Sequence, residues 1–305
     1  MTKYFSNLLL FLSIIVFCSC TNETKVPIDE PNLPFDEIIT IPIVIHILNY
    51  IPDPFEISDE KIFSQIAVLN KDFRKLNPDY LNTPDEFKHL VADVGIEFRL
   101  ATVDPDGNAT TGIIRTESNL IAGSGQEVMG AIEERTLYFT DKGGQDAWPN
   151  DKYLNIWIAD SSDRFGNLGL PGYANPPGSD PRIDGLVMDP RVFGTLEPLT
   201  EGHKFGRTAT HEIGHWLNLI HIFAGQKNCE SSDLVEDTPT QYGSYSKHPT
   251  YPQTSCGSND MFMNFMDYVA DDAMYMFTKG QKERMRALFN EGGARRALYL
   301  NLKEN

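Results

Sequence analysis

Three of the chain's seven histidines fall in one stretch, HEIGHWLNLIH at positions 211–221. Imidazole is a good ligand for zinc, and three protein ligands make a catalytic zinc site that keeps its fourth position open. On a helix, residues four apart project about 40° apart and roughly 6 Å along the axis, so His211 and His215 can grip one ion together. If the helix continued, His221 would lie about 240° round and ~9 Å past His215, far outside a metal–nitrogen bond of about 2.0–2.1 Å. The helix is therefore expected to stop between them. Asn218 is the residue that could stop it, because asparagine is the usual substitute for glycine at a left-handed C′ position. Glu212, beside the first ligand, is placed to serve as general base toward a water at the metal, and the chemistry implied is peptide hydrolysis.

The elements that must carry these residues are legible in part. IITIPIVIHIL (residues 38–48) reads as a buried central strand, with His46 a core histidine rather than a ligand. Ser58 can cap a helix on which Ile62, Ile66, Leu69 and Phe73 share one face. VGIEFRLATV (94–103), YLNIWIA (153–159) and DGLVMDP (184–190) read as further strands, and Asp104 to Gly107 as a turn. QEVMGAIEERTLYFT (126–140) is predicted helical. Residues 161–181, rich in Gly, Pro, Ser and Asn, predict a long irregular excursion. After His221 regular structure thins out until a helix around 280–288. Strands and helices interleave before the histidine helix and an irregular region follows it. This predicts one α/β (α+β) domain over residues 38–305, with an upper part to about 221 and a smaller lower part over 222–305.

With 305 residues, 41% hydrophobic and 23% charged, the composition is that of a soluble globular protein. A formal charge of −17 argues against nucleic acid or an anionic membrane as an electrostatic partner. MTKYFSNLLLFLSIIVFCSC (1–20) carries an apolar run too short for a comfortable membrane span and reads as an export signal. Its Ser19-Cys20 end is similar to a bacterial lipobox, whose cysteine is lipidated, so the expectation is a secreted protein or a lipoprotein of the outer membrane or cell surface. Residues 21–37 read as a tether. Cys229 and Cys256 then remain for the mature chain, as a disulfide pair or as two free buried thiols.

Downstream, NFMDY (264–268) adds a methionine, and here the sequence resembles a metzincin. More closely it resembles the pappalysin family, through HEIGHWLNLIHIF, DLVEDTPTQ, NFMDY and MFTKGQKERM, and upstream through ISDEKIFSQIAVLNKDFRKLN, IEFRLATVDPDG and YLNIWIAD. The resemblance implies a zinc endopeptidase acting on protein or peptide substrates, with a twisted mixed sheet, long helices above the cleft and an irregular lower subdomain. It puts Met266 in the floor beneath the three histidines and Tyr268 near the zinc, where a phenol can donate to an oxyanion. It implies calcium in the loop after the zinc helix, where Asp233, Asp237 and Thr238 offer oxygen ligands. The segment just after the methionine turn, Val269 to Asp272, would wall the pocket for the residue following the scissile bond. There Asp271 or Asp272 could favour a basic P1′ side chain, Asp272 being placed closest by the resemblance.

The chain also departs from that family. Asn218 stands where the family has glycine, Ala273 where one partner of a second cysteine pair would fall, and the segment between Cys20 and Ile38 has no cysteine and is too short to lie across a cleft. Latency by a thiol on zinc is therefore not expected, and a monomer is. Two rivals stand beside this reading. One is a zinc peptidase using Glu236 as third ligand; the other is a surface-anchored binding protein with a degenerate metal site, against which the retained Glu212 speaks.

Overall fold

A computed structural model of the chain describes residues 34, 36–50, 57–118, 120, 130–162, 166–225 and 227–304, all within one compact unit, Asn32–Asn305. The expected signal, Cys20 and the stretch up to residue 33 lie outside the described residues. The last of the expected tether residues are docked, not free. Arg286 donates to the Pro34 and Glu37 carbonyls, and Tyr299 and Lys303 hold the Glu37 carboxylate.

Strand β1 (Ile39–Tyr50) is β-branched and buried on both faces, as a strand with neighbours on each edge and helices above requires. Along one edge it pairs in parallel with β2 (Ile96–Leu100) and then β3 (Ile113–Ser118); along the other it pairs in parallel with β4 (Leu154–Ala159). β4 is followed by β6 (Gly185–Met188), also parallel, and the sheet ends in β5 (Gly172–Ala174), its one antiparallel strand. β3 and β5 are absent from the sequence reading; β5 lies inside the excursion expected to be irregular. His46 lies in the core, 2.9 Å from Asn155 Oδ1 and stacked on Trp157.

Helix α1 (Asp59–Phe73) starts where Ser58 accepts the Lys61 N–H, and its buried face carries Ile62, Leu69 and Phe73. It packs on β2 and on α2 (Arg207–Trp216), the histidine helix. Polar bonds fix that packing. Gln65 receives the Gly194 N–H and donates to the Gly206 carbonyl, while Thr210 donates to Asp72 at 2.8 Å. Arg207, nearly buried, reaches Asp79 and the Asp271 carbonyl.

The helix predicted over 126–140 does not form in its described part. Residues 126–129 lie outside the description, and 130–140 contain only a 3-10 turn at Ile132–Glu134 and the first residue of another, Thr140–Lys142. Leu137 and Tyr138 are both fully buried, Tyr138 edge-on to Trp157 at 4.8 Å. Both side chains join the cluster of Leu48, Trp157 and Val187, and the Leu137 carbonyl accepts the Gln145 N–H, a bond to a later loop in place of a helical one.

Beyond α2 the chain is largely irregular and is crossed by the disulfide Cys229–Cys256. A short hairpin, β7 (Thr254–Ser255) with β8 (Ser258–Asn259), precedes α3 (Lys279–Ala287), which Thr278 and Gln281 close with a reciprocal capping box. A second C-terminal helix, α4 (Arg296–Glu304), missed in the sequence, packs back against β1. Just before it, Arg295 forms a buried ion pair with Asp184. Asp184 also accepts from Trp216 Nε1 at 2.7 Å, and the guanidinium stacks 3.9 Å from the Trp216 ring. The C-terminal segment thus braces the histidine helix from below. No helix among the described residues is long and apolar enough to cross a membrane.

Candidate metal centre

Helix α2 is capped at Leu217, and Asn218 follows as the turn residue. With φ of 73°, Asn218 occupies the left-handed region; its N–H returns to the His215 carbonyl and the Leu219 N–H to the Gly214 carbonyl, the paired bonds of a Schellman turn. The chain reverses there and carries His221 back to the other two histidines. Asn218→Gly is expected to bind zinc as the native chain does, while β-branched Asn218→Val clashes at positive φ and displaces His221. Equal zinc affinity in the three proteins, measured by competition with a chelator, would place the turn's determinant elsewhere.

The three imidazoles meet through their Nε2 atoms, His215 lying 3.1 Å from His211 and 3.0 Å from His221. Among the described residues they form the one group of three His, Cys, Asp or Glu side chains able to share a metal. The donor set fits a cation. His211 Nδ1 is 2.7 Å from the Phe265 carbonyl and His215 Nδ1 is 2.9 Å from the Leu219 carbonyl. A carbonyl only accepts, so both Nδ1 atoms carry hydrogen and both Nε2 lone pairs point inward, an arrangement that needs positive charge between them. Burial holds all three imidazoles neutral, with repulsion from the neighbouring rings adding to it at His211 and at His221, which is pushed down to about 3, and the neutral form is the one that ligates.

Beneath them Met266 is fully buried. A Cβ at Gly214 would sit 2.5 Å from Met266 Sδ, so glycine in the last turn of α2 is what lets the methionine turn approach, a signal the sequence reading did not use. The same turn supplies the carbonyl that orients His211 and, through Met266, accepts the Ile222 N–H. Tyr268, half exposed, has its hydroxyl 2.9 Å from His221 Nε2.

Glu212 is buried beside the triad, and burial pushes its carboxyl up to about 8, opposed by a hydrogen bond from the Ala174 N–H of β5. Since the Asn175 N–H points to β6, the Ala174 N–H lies on the opposite, outer edge of β5, facing Glu212.

Next to His211 and Glu212 opens a cavity of about 360 Å³, lined also by Leu170, Gly172, His203 and Asp271. A more open hollow of about 520 Å³, lined by Trp148 and Arg182 among others, shares no residue with it. Asp271 is buried at the cavity, and its Oδ2 accepts the Phe205 and Arg207 N–H groups, capping α2 whose own N-cap is a glycine. Asp272 does not line the cavity; it pairs with His248 at 2.7 Å on the surface. Side chains one position apart diverge in the 3-10 turn Asp271–Ala273.

Asp233 accepts from the Thr238 hydroxyl, whereas Asp237 is turned to the start of α3, accepting from the Thr278 hydroxyl and the Gly280 N–H. The structure thus brings Asp233 and Thr238 together and gives Asp237 a capping role. Glu236, the rival third ligand, is exposed and outside the histidine group.

A mixed sheet whose histidine helix is ended by a left-handed turn over a buried methionine is the arrangement of a metzincin. A solved structure of mature mirolysin from Tannerella forsythia, in complex with a cleaved peptide, matches with a TM-score of 0.78 at 40% identity, over 88% of this chain and 98% of that one. The family model Peptidase_M43, pregnancy-associated plasma protein-A, matches residues 139–290. An extracellular metalloprotease 1 of Coccidioides posadasii is 31% identical over 77% of this chain and 70% of its own length. The chain belongs to the pappalysin family of metallopeptidases. It spans 63% of the length of another relative, an extracellular metalloprotease of Arthroderma otae, to which it is 32% identical.

Proposed function

We propose that the chain is an exported, zinc-dependent endopeptidase. The observation that carries this reading is the convergence of three neutral imidazole Nε2 atoms beside the buried Glu212 carboxyl. Zinc held by His211, His215 and His221 supplies a Lewis acid and a water acidic enough to use near neutral pH. The rest is the work of the chain's own groups. An extended substrate adds to the outer edge of β5, where backbone bonding aligns it without regard to sequence. Glu212 takes a proton as the scissile carbonyl is attacked and returns it to the leaving amine. The Tyr268 hydroxyl donates to the oxygen on which charge develops. Incubation with denatured proteins should give fragments, abolished by a chelator and restored by zinc. Zinc binding without cleavage would leave the binding-protein reading standing.

The names of the relatives and the disulfide support export; the lipobox-like end at Cys20 supports a lipid anchor. We also read the cavity beside His211 as the P1′ pocket and Asp271, not Asp272, as the carboxylate that a basic P1′ side chain meets. What supports this is its burial at that cavity with Oδ1 free of hydrogen bonds among the described residues. Asp271→Asn, which keeps an acceptor for the cap on α2, is expected to lower the preference for Arg or Lys at P1′ about ten- to hundredfold, and Asp272→Ala to leave it unchanged. Cleavage profiles on a peptide library decide it; an unchanged profile in Asp271→Asn sinks the assignment.

A further inference from the structure

His211 and His215 are each held through their second ring nitrogen by a backbone carbonyl. His221 has no such hold on Nδ1 among the described residues. Phe223 stacks on its ring at 4.8 Å and Tyr268 meets it edge-on at 4.7 Å, with its hydroxyl at Nε2, so the Nδ1 side of the ring is placed through the backbone that carries it. That backbone turns at Asn218, and the turn is gripped from outside by Arg284. Its Nε donates to the Asn218 carbonyl at 2.7 Å, and a second guanidinium nitrogen lies 3.4 Å from Asn218 Oδ1.

Arg284 is half-buried on α3. From the same helix Gln281 exchanges two hydrogen bonds with Asn264, whose Oδ1 receives the Met266 N–H. One helix therefore reaches both the methionine turn and the turn before His221. A cation is also the charge that suits this place, because the C-terminal carbonyls of α2 point toward it and Asp233 lies near enough to feel it.

We propose that Arg284 is a positioning residue of the metal centre: by holding the Asn218 carbonyl and side-chain amide, it fixes where His221 stands relative to His211 and His215. The inference rests on the zinc reading above. Without Arg284 the turn relaxes within the left-handed region, His221 moves with it, and the site loses its preformed third nitrogen.

Arg284→Met keeps the aliphatic stem and removes every donor; Arg284→Lys keeps the charge and one donor site; Glu283→Ala, on an exposed neighbour, is the control. Zinc affinity of the whole chain is measured by chelator competition, and ligand geometry by the visible bands of the cobalt-substituted protein. Arg284→Met is expected to weaken zinc binding about ten- to hundredfold, the range for residues that orient metal ligands, and to shift the cobalt bands. Arg284→Lys should fall between it and the native protein, and Glu283→Ala should match the native protein. Native affinity and an unchanged cobalt spectrum in folded Arg284→Met would overturn the proposal. So would equal losses in the Met and Lys variants, which would trace the effect to packing around α3. A native chain that binds no zinc at all would instead overturn the zinc reading.

Discussion

Glu212→Ala is expected to bind zinc as tightly as the native chain and to lose turnover about 10²- to 10⁴-fold, the usual contribution of a positioned acid–base group. The metal and the proton carrier are separate parts of this site. The three nitrogens that converge belong to His211, His215 and His221, while the Glu212 carboxyl is held aside by the Ala174 N–H of β5. His215→Ala should behave differently, losing metal and activity together, because one of three ligands is gone. Metal content and cleavage of a denatured protein, measured on the same preparations, separate the two cases. A Glu212→Ala protein with native turnover would exclude the proposed mechanism, and one without zinc would make Glu212 a structural residue.

Arg295→Met is expected to destabilise the fold by about 3–5 kcal/mol, since it leaves the Asp184 carboxylate buried without its cation. Both side chains of the pair are 2% exposed, and what remains around Asp184 is the Trp216 N–H and an amide from Asn150. Replacing both charges together, as Arg295→Met with Asp184→Leu, should recover much of the loss, because two apolar groups of similar volume need no partner. Trp216 lies in the network, so its fluorescence in a denaturant titration reports the change directly. Additive losses in the double variant would show that the two charges do not stabilise one another.

The histidine site was legible in the sequence because its logic is local. The spacing of His211, His215 and His221 demands a helix and then a stop, and Asn218 is the residue between them that tolerates positive φ. β1 and α1 were legible for the same reason, one as a β-branched run and the other as a capped apolar stripe. β5 was not: GYA among glycines and prolines has no pattern, and it becomes a strand only because the β6 edge offers it hydrogen bonds. β3 was missed because only its first two residues are apolar. The helix expected over 126–140 does not form in its described part, because Leu137 and Tyr138 are drawn into the cluster around Trp157, a tertiary contact the sequence does not announce. Which of Asp271 and Asp272 meets the cavity depends on one residue of rotation in a short turn, which tertiary contacts decide. Gly214 and Arg284 gave no signal, since a close approach and a grip from a distant helix exist only once the chain is folded.

The brace between Asp184, Trp216 and Arg295 has a temporal consequence. β1 must wait for β4, over a hundred residues downstream, before its second edge is filled, and parallel pairings of such separation form slowly. The histidine helix then needs Met266 beneath it, Arg284 at its end and Arg295 under Trp216, all of which leave the ribosome later still. A chain halted between residues 221 and 295 carries every histidine of the motif and lacks the Arg295 brace beneath their helix. Proteolytic competence therefore arrives at the end of folding, so a nascent or half-folded copy is a poor threat to its neighbours.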